Sequence, residues 1–226
     1  MERADASQTA DLHLRNLSMG LFPQLGHRFM TRWHQTFAGS EHAWGGVVVG
    51  PGGQVVAVAL VTTDQPAHTA EILREHRTAL LRAGTAGLVR HPRALVTFLR
   101  TRVLRYLRRI VRGGRPDTPP SARSEPREIV GVVHVLVTAE QVRERGLAAA
   151  LLGAAESWAR QRGTTVLALV TDYPEQPAAH TAADVYDRLG WERTAVRHRD
   201  GRRIAEYRRH LVADAAGGDE SRSTSG

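Results

Sequence analysis

The sequence predicts an α/β domain built around a mixed sheet, and three observations lead there. Strands and helices alternate through the second half of the chain. Two β-rich runs in the first half flank Gly50-Pro51-Gly52-Gly53, and two more near the end flank Asp200-Gly201. With 226 residues, 42% of them hydrophobic and 24% charged, the chain can bury a core without disulfide or metal staples. It has no cysteine, which excludes a disulfide framework, a thiolate metal site and a cysteine nucleophile. No apolar run approaches the roughly 20 residues of a membrane span. The opening MERADASQTADLHL has no apolar signal core, so a cytoplasmic protein is expected.

Taken in order, residues 1–8 are polar and read as a loose tail, leaving a single domain over 9–212. From Asn16 to Phe37, Leu17, Leu21, Leu25, Phe29, Trp33 and Phe37 recur every four positions, a helical spacing with a break near Pro23. Residues 44–62 read as a β-hairpin. Residues 66–127 read as a helical insertion: one helix over 66–84, a second over 92–111, then a Gly/Pro/Ser linker over 113–127. Strands follow at 128–137 and 164–171, and helices at 145–162 and 181–189. A hairpin over 192–198 and 202–211 closes the domain, with its turn at Asp200-Gly201. Residues 213–226 read as a disordered tail.

All 31 basic residues are arginine, and the formal net charge is +8. Ten of these arginines fall between Arg82 and Arg115, a stretch with no Asp or Glu, so the whole excess sits in the insertion. On the second insertion helix, Val96, Leu99, Val103, Leu107 and Ile110 make an apolar stripe opposite Arg102, Arg105, Arg108, Arg109 and Arg112. Such a surface suits an anionic partner. Nucleic acid is not favoured, because only 5% of residues are aromatic and no reader motif accompanies the arginines.

The most informative junction is VHVLVTAEQVRERGLAAALLGAAESWA. A buried strand ends at Val137, and a helix opens around Arg145-Gly146-Leu147-Ala148. Backbone N–H groups at a helix start have no partners and face positive potential outward, which suits a phosphate. Gly146 and Ala148 keep bulk away, and Arg143 and Arg145 add charge. The same residue types also serve close strand–helix packing.

Arg143-Glu144-Arg145-Gly146-Leu147-Ala148 resembles the R/Q-x-x-G-x-G/A signature of the GNAT superfamily of N-acyltransferases. Residues 182–191, AADVYDRLGW, resemble its later A-x-x-x-Y-x-x-x-G-F motif, with Trp191 in place of Phe. The resemblance implies a GNAT-like mixed, mostly antiparallel central sheet flanked by helices, here carrying an inserted helical hairpin. It implies acetyl-CoA or another acyl-CoA as cosubstrate, its pyrophosphate on residues 143–148 and its pantetheine beside Leu136, Val137 and Thr138. The chain departs from the pattern in five places, one of them a loop to Arg143 that is one residue too long. Ala139 replaces a proline, Ala179 and His180 stand where an asparagine is usual, residues 171–179 lengthen a loop, and a first strand is hard to find.

Acyl transfer from a thioester needs a neutral amine, a stabilised oxyanion and a proton for the leaving thiolate. Tyr186 occupies the motif tyrosine and is the candidate acid, with helix packing as its alternative role. A backbone N–H near Val137 is the candidate oxyanion donor. His134 is a candidate base, and Glu128, Asp172, Glu175 or a water chain are others. No histidine–acid spacing among the remaining histidines is read as a zinc motif, and no metal is assigned.

The implied partners are an amine of a small molecule or peptide in a bacterial biosynthetic setting, and a second copy of the chain. An acidic acyl carrier protein docked on the insertion is an alternative donor. A non-catalytic or nucleic-acid-binding module on the same fold is the rival class.

Overall fold

The computed structural model describes residues 1–17, 21–90, 128–176, 181–199 and 201–211. Their elements are α1 (Ala6–Asn16), α2 (Leu21–Gln24), α3 (His27–Gln35), β1 (Ala43–Val49), β2 (Val55–Thr62), α4 (Gln65–Glu71) and α5 (Arg77–Arg90). Then come β3 (Val130–Thr138), α6 (Leu147–Arg160), β4 (Val166–Asp172), α7 (Ala182–Arg188), β5 (Glu192–Arg199) and β6 (Arg202–His210). The strands form one sheet in the order β1-β2-β3-β4-β6-β5, antiparallel throughout except for the β3–β4 pair. The α/β class and the mostly antiparallel sheet are as predicted.

β2 lies second in the sheet and is buried along its whole length, which explains its unbroken VVAVALV run. On one face, here the upper, Leu12, Phe37, Val58, Leu60, Val135 and Val137 pack together under α1 and α3. On the lower face, α6 and α7 cover Val133, Leu167, Leu169 and Tyr207. Gly131 lets these layers close, because a Cβ there would lie 2.8 Å from both a Leu167 methyl and the Thr62 carbonyl oxygen.

The first eight residues are not the loose tail that their polarity suggests. α1 starts at Ala6 and buries Ala6, Thr9, Ala10, Leu12 and His13. The Met1 amino group donates to the Gly45 carbonyl at 2.9 Å, and Val55 N–H donates to Gln8 Oε1 at 2.8 Å. The helix expected from Asn16 is likewise two helices, with the chain breaking at Leu25-Gly26 just beyond Pro23. Phe22, Trp33 and Phe37 form an edge-to-face aromatic run with ring centroids 5.2 Å apart.

The helix predicted over 66–84 is present as α4 and α5, joined by a π-helical turn at Ile72–His76. Asp64 caps α4, accepting from Ala67 N–H at 2.9 Å. The second insertion helix, its arginine stripe, the 113–127 linker and the 213–226 tail lie outside the described residues.

Two buried histidines pin α1 to α3. Thr9 Oγ1 donates to the Ala6 carbonyl, so it accepts from His34 Nδ1 at 2.9 Å; His34 Nε2 then accepts from His13 Nδ1 at 3.2 Å. This alternation requires a neutral His34 with its proton on Nδ1. Burial accordingly lowers His13 to about 4 and His34 to about 3, the latter also pushed down by His13. Unfolded histidine binds its proton near pH 6.5. Stability is therefore complete above pH 6.5 and is lost as pH falls from there toward 4 and then 3. Denaturant titrations between pH 7 and 4.5 should show a loss approaching about 1.4 kcal/mol per pH unit for each such histidine. His34→Gln should flatten that slope.

Candidate functional site

β3 and β4 run parallel and pair only at Val130–Val166, Gly131–Leu167 and Val132–Ala168. Beyond that point β3 continues to Thr138 and β4 to Asp172 without pairing to each other, so a slot opens between them. Ala139 N–H bonds the Val56 carbonyl at 2.7 Å. By strand alternation Val137 N–H also points toward β2, while the N–H groups of Leu136 and Thr138 point the other way, into the slot. Near Val137, the N–H groups that face the slot are therefore those of Leu136 and Thr138.

The loop after β3 is a 3-10 turn at Glu140–Val142 leading to the start of α6. Gly146 is the N-cap of α6, at φ +74° and ψ +4°, with no side chain capping the helix. Glu144 is also left-handed, at φ 63°. Ala150 N–H bonds the Gly146 carbonyl at 3.0 Å, which leaves the N–H groups of Leu147, Ala148 and Ala149 at the open end. A Cβ at Gly146 would meet no protein atom within 4 Å, so space there faces outward. Arg145 is exposed. Arg143 is drawn aside, donating to Asn16 Oδ1 of α1 at 3.1 Å. This loop forms an open backbone cradle beside the slot, with N–H groups of the kind that receive an anion.

His134 stands on the upper side of the slot. The β2–β3 register pairs Leu60 with Val135 and Val61 with Val133, so His134 is the extra residue of a bulge. Its ring lies 5.6 Å from that of Phe37, and Nε2 is 2.9 Å from Thr62 Oγ1. Burial, helped by His68, lowers its pKa to about 4, so the ring is neutral and able to accept a proton.

Tyr186 stands on the lower side, on α7. It is 6% exposed, with ring centroids 5.8 Å from Trp191 and 5.4 Å from Tyr207. Burial, with Tyr207 beside it, pushes its phenol well above the usual range and keeps it protonated. Leu136 also faces this side, against Ala57, Ala59 and Leu151. The sheet thus brings His134, Leu136, Val137, Thr138 and the 143–148 loop to one end, with His134 and Tyr186 on opposite faces.

The other candidate bases are engaged or displaced. Glu128 accepts from Arg208 at 2.9 Å, and Asp172 pairs with Arg202. Glu175 lies in a cavity of about 540 Å³ with Asp184, Asp187, Arg193 and Arg203, where both guanidiniums lie 4.9 Å from the Tyr173 ring. Among the described residues no group of three or more His, Asp or Glu side chains is placed to hold a metal, and no helix is long and apolar enough to cross a membrane. Sequence reading missed Thr62 and Phe37. It also missed the His68–Ser40–Glu71 cluster, signalled only by the Asp64-Gln65-Pro66 helix start that sets His68 and Glu71 one turn apart.

A six-stranded sheet whose one parallel pair parts beside an uncapped helix start defines a mixed α/β fold with a slot at one end of the sheet. Comparison specifies it. Residues 103–191 match the acetyltransferase (GNAT) family. The fold is that of a GNAT-family protein from Desulfovibrio desulfuricans, at 12% identity and TM-score 0.52 over 92% of this chain and 94% of the other. An aminoglycoside 6'-N-acetyltransferase complexed with coenzyme A has 10% identity and TM-score 0.55, over 93% of each chain. The ribosomal-protein-S18-alanine N-acetyltransferase of Escherichia coli has 11% identity and TM-score 0.50, over 97% and 94%. No curated protein matches the chain in sequence. Residues 103–191 thus match the GNAT family, and the fold of the whole chain is that seen in GNAT-family structures.

Tyr186 packs where a large ring fills the core. Tyr186→Ala should lower stability by about 3–5 kcal/mol, while Tyr186→Phe should retain most of it; thermal unfolding of the two variants checks this.

Proposed function

We propose that the chain is an N-acyltransferase moving an acyl group, by default acetyl, from an acyl-CoA to an amine of a small molecule or peptide. The observation that carries this reading is the slot between β3 and β4 with the α6 cradle at its foot. A pantetheine amide can replace the missing strand there, bonding the inward backbone groups of Leu136 and Thr138. The pyrophosphate would rest on the N–H groups of 147–149, where Gly146 leaves room and the helix dipole favours negative charge. The coenzyme A complex of the aminoglycoside 6'-N-acetyltransferase that shares the fold supports a CoA donor.

The acceptor's side follows from which face is filled. Below the slot, Leu169, Tyr186 and Tyr207 close the core. Above β4, Val170 is 56% exposed, and it lies opposite Glu206 on the same face. The amine therefore approaches from above, where neutral His134 takes its proton as the nitrogen attacks the thioester carbonyl. An oxyanion forms beneath the N–H groups of Leu136 and Thr138. The C–S bond then breaks, and Tyr186 protonates the thiolate from below. Burial raises the Tyr186 pKa, which keeps its proton in place until a thiolate arrives.

An acidic acyl carrier protein as donor, and the basic insertion as its docking surface, remain a second reading. It rests on the ten arginines and no acids between Arg82 and Arg115. A cytoplasmic, biosynthetic role belongs to the same proposal.

Release of free CoA thiol from acetyl-CoA, followed across a panel of amines, tests the reading. Turnover with at least one amine is expected, and Tyr186→Phe should lower kcat on the order of 100-fold with little change in KM for acetyl-CoA. Unchanged kcat in that variant would remove the acid from Tyr186; no thiol release with any amine would oppose CoA as donor.

A further inference from the structure

His68, on α4, is 4% exposed, and its surroundings differ in kind from those of His13 and His34. Ser40 Oγ donates its single proton to Glu71 Oε2 at 2.5 Å. Ser40 Oγ also accepts from His42 N–H at 3.2 Å, so toward His68 Nδ1, 3.2 Å away, it can only accept. On the other side of the ring, Nε2 lies 3.4 Å from Thr36 Oγ1, whose own proton goes to the Trp33 carbonyl at 2.7 Å. Both ring nitrogens therefore face acceptors, and the Glu71 carboxylate stands 3.9 Å from Nδ1. Both nitrogens of His68 can donate at once, whereas His34 must accept on Nε2 and so stay neutral; burial still holds the His68 pKa below its ordinary value.

The Phe37 ring connects this seat to the slot. Its centroid lies 4.8 Å from the ring of His68 and 5.6 Å from that of His134. We propose that His68 is a positioning residue for His134: seated by Ser40, Glu71 and Thr36 across Phe37 from the slot, it takes a proton before His134 does and thereby holds His134 neutral. The proposal rests on the reading of His134 as the base. A base that stays neutral to lower pH goes on accepting protons from amines in mildly acidic conditions.

The charged and titratable groups around His68 act in both directions. Burial lowers its pKa, Glu71 raises it, and His42 before β1 and His76 in the π-turn lower it. Burial is the principal cause of the low pKa of His134, and His68 is the charged neighbour that lowers it further. The inserted arm also enters here, because α4 carries both His68 and Glu71. A partner or substrate that moved α4 would change the charge facing the slot.

The test is an NMR titration of the protein with 15N-labelled histidine rings between pH 4 and 8, on the wild type, His68→Gln and Glu71→Gln. In the wild type His68 should titrate at higher pH than His134, with both of its nitrogens protonated. His68→Gln should raise the His134 midpoint by about half a pH unit or more, as expected on losing a nearby like charge. Glu71→Gln should lower the His68 midpoint; at this partly exposed carboxylate, it keeps the test available if His68→Gln does not fold. The acid limb of kcat/KM should move upward with the His134 midpoint in His68→Gln. A His134 midpoint indifferent to His68→Gln, a His68 midpoint indifferent to Glu71→Gln, or titration of His134 ahead of His68 would overturn the proposal. Failure of the base reading shows separately, as an unchanged kcat in His134→Asn, because the titrations need no substrate.

Discussion

The parting of β3 from β4 after Val132 and Ala168 is the constraint around which the rest of the molecule is arranged. Two strands that begin as hydrogen-bonded neighbours cannot separate without exposing backbone donors and acceptors, and a buried backbone group without a partner is costly. Here the freed groups of Leu136 and Thr138 line a slot. The sheet stays whole elsewhere: β2 ties β3 on one side, and β6 ties β4 along its length on the other. Gly131 holds the two strands close just before they separate. The slot is therefore a rigid opening between two well-anchored halves, and preorganised sites of this kind spend little free energy on ordering when a ligand arrives.

The two faces of the sheet give the slot its chemical asymmetry. Below it, aromatic and aliphatic side chains of β4, α7 and β6 pack around Tyr186 and exclude water. Above it, a β-bulge turns His134 toward Phe37 and Thr62, beside a stretch of sheet that is open among the described residues. Three arginine–carboxylate pairs, Arg208–Glu128, Arg202–Asp172 and Arg197–Glu206, lie on that open side. These three carboxylates already have an arginine each, which under the proposed mechanism leaves His134 to take the amine's proton. Exposed pairs of this kind add little to stability; what they do is remove competing bases.

Much of this was legible in the sequence where the signal is local. Gly146 sits at a positive φ at the start of a helix, and the run of residues around it reads the same in one dimension as in three. Tyr186 falls on a helix stopped by Gly190, a boundary that short-range chemistry sets. α1 was illegible because its buried face is made of Ala6, Thr9, Ala10 and His13, small or polar groups that leave no hydrophobic period. The bulge at His134 depends on register with β2, and Thr62, which meets it, is 72 residues away. The seat of His68 brings together Thr36 and Ser40 from one end of the helical layer and Glu71 from another. No window of sequence contains such a cluster, and only folding reveals which histidines share a ring of acceptors.

The central claim is that the slot and the α6 cradle together hold a CoA thioester. Hydrogen–deuterium exchange of the whole chain, with and without saturating CoA, tests it most directly. The account predicts protection concentrated in residues 134–138 and 143–149, with the far strand pair β5–β6 unchanged. Protection confined to other segments, or none at CoA concentrations up to about 1 mM, the weak end of specific binding, would contradict it.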